Sequence, residues 1–271
     1  MWFDPVMRVF QTHLRLAVTC LLAVALASCT TVPETGRRQL NLLSPGEEMQ
    51  LGLTSFDKMK KETTISKDPA ANALVQKVGK RIAAVAPLPN AQWEFVVFES
   101  KEANAFCLPG GKVGVYTGLL PITKDEAGLA TVIGHEVGHA VARHGGERMS
   151  QELVRQTGAS VLAAGLASAD PRAQAAVTTV YGLGTQLGIM LPYSRAHESE
   201  ADHLGLIYMA RAGYDPEAAV GFWQRFAEYT RQAGSGGTPL IFRTHPADEQ
   251  RIKQIKDWLP RAKQEYKPQP L

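Results

Sequence analysis

Residues 125–144 carry the sequence DEAGLATVIGHEVGHAVARH, in which apolar residues recur at helical spacing around the motif H-E-x-x-H. Four residues advance an α-helix by about 400°, so His135 and His139 share one face and lie about 6 Å apart along the helix axis. That separation suits two imidazoles that converge on one tetrahedral Zn²⁺ ion. Glu136 then points beside the metal, where its carboxylate can take a proton from a water molecule.

The motif alone does not establish a metal site, because two buried histidines that only make hydrogen bonds would leave the same pattern. Gly134 and Gly138 lie beside the motif residues, and each lowers helix propensity by about 1 kcal/mol relative to alanine. Such a cost indicates either that another element packs closely against this helix or that a substrate needs access to it.

A catalytic zinc site of this kind needs a third protein ligand. The metzincin pattern would require glycine and histidine where the chain has Ala142 and Gly145, so that class is excluded. Acidic candidates lie on another predicted helix, in the sequence ESEAD that begins at Glu198. Glu198 and Asp202 share one helix face and Glu200 points in nearly the opposite direction. Spacing alone leaves either glutamate as the ligand.

Composition excludes several other classes of protein. Of the 271 residues, 45% are hydrophobic and 20% are charged, which is typical of a folded soluble chain and not of a disordered or polytopic membrane protein. The net charge of +3 is too small to indicate nucleic-acid binding. Cys107 is the only cysteine after residue 29, so we expect a packed thiol there, neither a disulfide nor a nucleophile.

The N-terminal residues resemble the signal sequence of a bacterial lipoprotein. An apolar run, LAVTCLLAVALA from Leu16 to Ala27, follows basic residues and is too short to span a hydrocarbon core of about 30 Å. The tetrapeptide LASC, which ends at Cys29, resembles a lipobox, whose cysteine is acylated and becomes the new N-terminus. The resemblance implies a periplasmic chain with a lipid anchor at Cys29, and Thr30 favours the outer membrane. An ordinary signal peptide is the alternative.

The rest of the chain divides into a tether, a domain and a tail. After the signal peptide, residues 1–28, we predict a polar tether over 29–43, a folded domain over 44–260 and a loose tail over 261–271. Strands are predicted at Trp93–Phe98 and Lys112–Tyr116. Helices are predicted to begin at Ser44, Asp68 and Asp215. Three more are predicted over residues 125–144, 197–212 and 246–258, and two within residues 151–192. This order indicates an α+β fold that is mostly α.

Four motifs in order resemble those of one family of zinc metallopeptidases. They are Asn104-Ala105-Phe106 with Pro109-Gly110-Gly111, the H-E-x-x-H with Arg143-His144 after it, Glu198-x-x-Ala201-Asp202, and Thr244-His245-Pro246 followed by Arg251. The set resembles the HtpX-like and CAAX-prenyl-protease-like gluzincins, in particular their soluble periplasmic lipoprotein branch (BepA- and LoiP-like). The resemblance covers roughly residues 41–258. It implies a zincin-like metallopeptidase domain with a small β-sheet beside the active-site helix.

The resemblance implies a role for individual positions. One zinc ion per chain would be held by His135, His139 and Glu198, with Glu136 as general base and acid. Asp202 matches the carboxylate that orients a ligating histidine.

Outside this set, His245 matches a histidine that approaches the metal in some relatives, where it gates the open position or stabilises the oxyanion. The alternative interpretation of His245 is that it is a residue at the start of a helix, before Pro246. Arg251 is expected to be a charge partner near the site. The other polar residues of these motifs are expected on the surface or in hydrogen-bonded positions without a catalytic role: Arg143, His144, His197, His203 and, as a solvated residue, Glu200.

The resemblance also implies a mode of substrate binding. An edge strand beside the cleft would pair with an extended peptide through backbone hydrogen bonds; it would contain Gly111, Lys112, Val113, Gly114 and Val115. The implied function is a zinc endopeptidase of the bacterial cell envelope that degrades misfolded or misassembled periplasmic and outer-membrane proteins. The envelope assembly machinery is a candidate partner and nucleic acid is not. A chaperone-like or latent module that binds proteins in the same cleft is the alternative.

Overall fold

The computed structural model describes residues 29–186, 190–233 and 249–268, and in these ranges the chain is mostly helical with two small sheets. The predicted α+β class is therefore confirmed. The segment predicted as a signal peptide, residues 1–28, and the segment that contains His245 lie outside the described residues. Within those ranges, no helix has both the length and the apolar composition needed to cross a membrane.

The first half of the described chain contains the strands and two of the helices. Its elements are β1 (Cys29–Thr31), β2 (Arg38–Leu40), α1 (Pro45–Glu62), α2 (Pro69–Ala83), β3 (Glu94–Phe98), β4 (Ala105–Leu108) and β5 (Lys112–Tyr116). Ser44 caps α1 in a capping box with Glu47, and Asp68 caps α2, as the sequence predicted.

The second half is helical. A 3₁₀ turn (Thr117–Leu119) leads to α3 (Leu120–Thr123), α4 (Glu126–Val141), α5 (His144–Gly165), α6 (Pro171–Thr185), α7 (Leu191–Arg211), α8 (Ala218–Ala233) and α9 (Glu249–Glu265). Helices α5 and α6 are the two predicted within residues 151–192. Helix α4 carries the H-E-x-x-H motif and lies at the centre, where it contacts α2, α7, α8 and β4.

Helices α4 and α7 approach each other closely at glycine residues. A Cβ atom on Gly138 would lie 2.8 Å from the carbonyl oxygen of Ala201, and one on Gly134 would lie 2.9 Å from that of Gly205. From the other side, a Cβ atom on Gly205 would lie 2.8 Å from the backbone nitrogen of His135. Of the two explanations for the glycines in the motif helix, close packing is the one that the structure supports.

The larger sheet has the strand order β3-β5-β4. Strand β5 pairs in parallel with β3 and antiparallel with β4, so it is the central strand. The prediction that Lys112–Val115 form an edge strand is therefore wrong, because both sides of β5 already make ladder hydrogen bonds. Gly111 precedes the strand with a left-handed φ of +81°. Strand β4 is the edge strand next to α4.

The segment predicted as a tether is folded onto the domain. Strands β1 and β2 form an antiparallel hairpin, and Val32 in its turn region is buried. Arg37 donates from Nε to Glu200 Oε2 over 2.7 Å and from Nη2 to Glu147 Oε2 over 2.8 Å. The tether prediction is wrong because the polar side chains that indicated solvation pair with buried carboxylates of α5 and α7 instead.

The predicted C-terminal boundary at residue 260 is also wrong. Helix α9 continues through Pro260 to Glu265. Ala262 is buried, and the Glu265 carboxylate accepts a hydrogen bond from Arg211 on α7 over 3.2 Å. These contacts outweigh the backbone hydrogen bond that proline removes from a helix.

We expect Gly205→Ala to lower the free energy of unfolding by about 1–3 kcal/mol, because the added methyl group must displace the backbone of α4 at His135. Gly182→Ala on α6 is the matched control. A Cβ atom at Gly182 meets nothing within 4 Å, so this change should stabilise the helix by up to about 1 kcal/mol. Urea denaturation followed by circular dichroism measures both. Equal effects of the two substitutions would contradict the close-packing explanation.

Candidate metal centre

Two imidazoles and one carboxylate converge at the crossing of α4 and α7. The Nε2 atoms of His135 and His139 are 3.1 Å apart. Glu198 Oε2 lies 3.3 Å from His135 Nε2, and Glu198 Oε1 lies 3.2 Å from His139 Nε2. Tetrahedral ligands at about 2.0–2.1 Å from a zinc ion are separated by about 3.3–3.4 Å. The three groups therefore match one face of a tetrahedral zinc site.

Local structure explains how the three side chains meet. Asp125 caps α4 by accepting a hydrogen bond from the Gly128 backbone N–H, and the four-residue spacing then places both histidines on one face. Glu198 lies one helical turn before Ala201, at which α7 touches Gly138. The close crossing thus brings the carboxylate within reach of both imidazoles.

His135 is held from behind by a buried ion pair. Its Nδ1 atom lies 2.9 Å from Asp202 Oδ1, and Arg251 donates to both oxygens of Asp202 over 2.7 Å. The Arg251 guanidinium in turn lies 3.4 Å from the centre of the Trp223 ring. Burial opposes a charge on His135, but the Asp202 carboxylate outweighs it and raises the pKa of the imidazole to about 9.

His139 is held through a second histidine. Its Nδ1 atom lies 2.7 Å from His144 Nδ1, and His144 Nε2 lies 2.9 Å from Glu200 Oε2. Burial lowers the pKa of His139 well below its usual value and that of His144 to about 4.

Glu200 is buried, so the prediction of a solvated side chain is wrong. Burial alone would raise its pKa, but hydrogen bonds from His144, Thr35 and Arg37 lower it to about 2. The structure thereby distinguishes the two glutamates between which helical spacing could not choose. Glu198 faces both motif histidines, whereas Glu200 contacts His144 behind His139.

A cavity of about 290 Å³ opens beside His139, one of the three converging residues. It is lined by Glu136 and His139 on one side and by residues 104–109, which include strand β4, on the other. The Tyr116 N–H donates to the Asn104 carbonyl, so by strand alternation the backbone groups of Ala105 and Cys107 point away from β5. The cavity thus contains a carboxylate beside an edge strand.

Two further residues behave as packed groups. Burial and the nearby Glu136 charge raise the pKa of the Cys107 thiol, which agrees with the expected packed thiol. Arg143 has a left-handed φ of +56° between α4 and α5, and it donates to the carboxylate of Glu48 and to the Leu43 carbonyl. It therefore ties α1 to the end of the motif helix.

The structure brings most of the predicted site residues together. His139, Glu198, Asp202 and Arg251 each lie within hydrogen-bonding distance of His135, while the role of His245 stays a prediction outside the described residues. Sequence reasoning missed two contributors. His144 contacts His139 from five positions away, and its position directly after the motif helix offered a signal. Arg37 reaches the site through Glu200, 163 positions away, and no sequence signal pointed to that contact.

The chain is similar to known metallopeptidases over most of its length. Residues 69–259 match the model of Peptidase family M48. The chain is 37% identical over 235 residues to the mitochondrial metalloendopeptidase OMA1 of Schizosaccharomyces pombe, an alignment that covers 85% of this chain and 66% of that protein. It is 35% identical over 186 residues to OMA1 of Saccharomyces cerevisiae, with 66% and 50% covered.

A bacterial relative is similar over a region of comparable length. The chain is 30% identical over 233 residues to the beta-barrel assembly-enhancing protease of Escherichia coli K12, with 85% of this chain and 47% of that protein covered. The alignments thus span less than two thirds of these relatives. The family match extends over most of the chain and includes both motif histidines, Glu198, Asp202 and Arg251. The chain therefore belongs to peptidase family M48, and its mostly helical α+β domain has the zincin-like fold predicted from the sequence.

Proposed function

We propose that this chain is a zinc-dependent endopeptidase. The observation that carries the proposal is the triangle of His135, His139 and Glu198, whose facing atoms are 3.1, 3.2 and 3.3 Å apart. Three protein ligands with one open position are typical of catalytic zinc sites, whereas structural sites have four. Membership of a peptidase family and the metalloendopeptidase relatives support the same conclusion.

Zinc held by these residues would polarise the scissile carbonyl and make a water molecule easier to deprotonate. Glu136 follows His135 directly and lines the cavity, so it is placed to take the proton from the attacking water. The same carboxyl group then protonates the leaving amine. Asp202 and Arg251 hold the His135 ring with Nε2 toward the site, which fixes its tautomer and orientation.

The substrate is an extended peptide that pairs with β4, not with the central strand β5. Ala105 and Cys107 direct their backbone N–H and C=O groups toward the cavity that Glu136 lines. A peptide added at this edge would pass the catalytic carboxylate in extended conformation, which is the conformation that strand addition imposes. Any peptide backbone can make these hydrogen bonds, so this mode suits unfolded protein segments of varied sequence.

For the biological setting, the bacterial cell envelope is the proposed location. The lipobox-like LASC sequence favours a lipid anchor at Cys29 in the outer membrane, facing the periplasm. A relative named beta-barrel assembly-enhancing protease supports a role in the quality control of misassembled envelope proteins. Relatives named mitochondrial metalloendopeptidase also support the peptidase activity. Their name, however, points to a different compartment.

We expect Glu136→Gln to retain one zinc ion per chain and to lose at least about 100-fold in hydrolysis of an unfolded protein, because the general base is removed and the ligands are not. Glu126→Gln, at the start of the same helix, is the matched control and should retain activity. Metal analysis and a fluorescent casein assay measure the two properties. Undiminished proteolysis by zinc-loaded Glu136→Gln would refute the mechanism. A Glu136→Gln variant that loses proteolysis but still supports envelope assembly in cells would favour the chaperone-like alternative.

We expect Glu198→Ala to abolish stoichiometric zinc binding, since only two of the three ligands remain. Glu228→Ala, which removes an exposed carboxylate from α8, is the control and should bind zinc like the unmodified protein. Equilibrium dialysis followed by elemental analysis distinguishes them. Stoichiometric, tight zinc in Glu198→Ala would exclude this glutamate as a ligand.

We expect Cys107→Pro to raise KM for peptide substrates by up to about tenfold, because one edge-strand N–H can no longer donate to the substrate. Cys107→Ala separates this effect from that of the thiol and should have an unchanged KM. Steady-state kinetics with a quenched fluorescent peptide measure both, and circular dichroism checks that the variants are folded. An equal rise in Cys107→Ala would mean that the side chain, and not the backbone, contacts the substrate.

A further inference from the structure

The N-terminal hairpin, residues 29–40, makes a chain of hydrogen bonds that ends at a proposed metal ligand. Arg37 Nε donates to Glu200 Oε2 over 2.7 Å, and the same carboxylate oxygen lies 2.9 Å from His144 Nε2. His144 Nδ1 then lies 2.7 Å from His139 Nδ1. Within the part of the chain that the structure describes, these contacts connect the hairpin to His139 through two intermediates.

The donors and acceptors along this chain are mutually consistent. A carboxylate can only accept, so His144 donates to Glu200 from Nε2, and an imidazole whose one hydrogen is at Nε2 has a lone pair at Nδ1. His139 Nδ1 therefore carries the hydrogen that bridges to His144. The remaining nitrogen of His139, Nε2, has its lone pair directed toward Glu198 and His135. This is the tautomer that a metal requires of His139.

A second contact of Arg37 confines the His144 ring from the side. Its two terminal nitrogens donate to the two oxygens of Glu147 over 3.0 and 2.8 Å. Glu147 Oε2 lies 2.9 Å from His197 Nε2. The rings of His197 and His144 are stacked, with centres 4.2 Å apart and an angle of 17° between their planes. One guanidinium thus holds both the hydrogen-bond partner of His144 and the ring against which it packs.

The arrangement parallels the support of His135. There, one carboxylate, Asp202, contacts the histidine directly and is held by Arg251. At His139, the carboxylate is Glu200, its arginine is Arg37, and His144 lies between carboxylate and ligand.

We propose that Arg37 is a positioning residue for His139 and that docking of the N-terminal hairpin completes the zinc site. The inference rests on the proposed function, because it takes His139 to be a zinc ligand. Removing the guanidinium leaves the buried carboxylates of Glu200 and Glu147 without their shared cation. Glu200 then loses its orientation toward His144, and the Nδ1 hydrogen bond that fixes His139 weakens. The hairpin is therefore a condition for tight metal binding as well as a structural element.

Zinc affinity of the purified full chain tests this inference without reference to activity. The dissociation constant is measured by competition with a chromophoric chelator. We expect Arg37→Gln to bind zinc about tenfold more weakly, and His144→Ala about 10–100-fold more weakly, as is typical when the partner of a ligating histidine is removed. Glu200→Gln keeps the side-chain size and should also weaken binding, because the amide is neutral.

Two controls separate positioning from a general loss of stability. Arg38→Gln changes the exposed neighbour of Arg37, and Arg211→Gln removes a different anchor of the hairpin, the ion pair between Arg211 and Glu34. Both should bind zinc within about twofold of the unmodified protein. The visible spectrum of the Co²⁺-loaded protein reports ligand geometry and should change in Arg37→Gln but not in either control.

Several outcomes would overturn the inference. Unchanged zinc affinity in both Arg37→Gln and Glu200→Gln would do so, and so would an equal loss of affinity in Arg211→Gln. If circular dichroism shows that Arg37→Gln does not fold, the zinc affinity of Glu200→Gln tests the inference instead. Failure of the proposed function looks different, because then the unmodified chain would bind no zinc or Glu198→Ala would bind it equally well.

Discussion

The proposed metal centre depends on how closely helices α4 and α7 approach each other. Gly134, Gly138 and Gly205 carry no side chain at the crossing, and a Cβ atom at any of them would lie within 2.9 Å of a facing backbone atom. Each glycine lowers the helix propensity by about 1 kcal/mol relative to alanine. The close approach lets the Glu198 side chain reach both motif histidines. Any bulkier residue at the crossing would separate ligands that must lie about 3.3 Å apart.

Burying so many charges at this crossing is costly unless each is paired. Asp202 is paired with Arg251 from α9, whereas Glu200 and Glu147 share Arg37 from the N-terminal hairpin. The two arginines come from opposite ends of the described chain, and both pair with carboxylates of α7, which carries Glu198. The ion pairs of Arg37 are therefore a reason why the segment predicted as a tether folds onto the domain, and the ion pair between Arg211 and Glu265 does the same for the segment predicted as a tail.

The proposed mode of substrate binding depends on the order of strands in the small sheet. The valine-rich sequence of β5 was predicted as a strand, while β4, with the sequence AFCL, was not. Valine favours a strand in general, and a central strand in particular, because its branched side chain packs well on both faces. Whether a strand lies at the centre or the edge depends on its neighbours. The shorter, less typical strand thus became the edge beside Glu136.

The local pattern of the sequence determined the helices, their caps, the face shared by His135 and His139, and the short list of acidic ligand candidates, because each follows from residues within a few positions of one another. Only the tertiary structure shows that Glu198 and not Glu200 faces both motif histidines, that β4 is the edge strand next to α4 and that Arg37 lies behind His144. The positions of Glu198 and Arg37 depend on contacts between residues far apart in sequence, such as the 56 positions between His144 and Glu200, and the edge position of β4 depends on which strands pair with β5. Helical periodicity gives the direction of a side chain, and only packing determines what it meets.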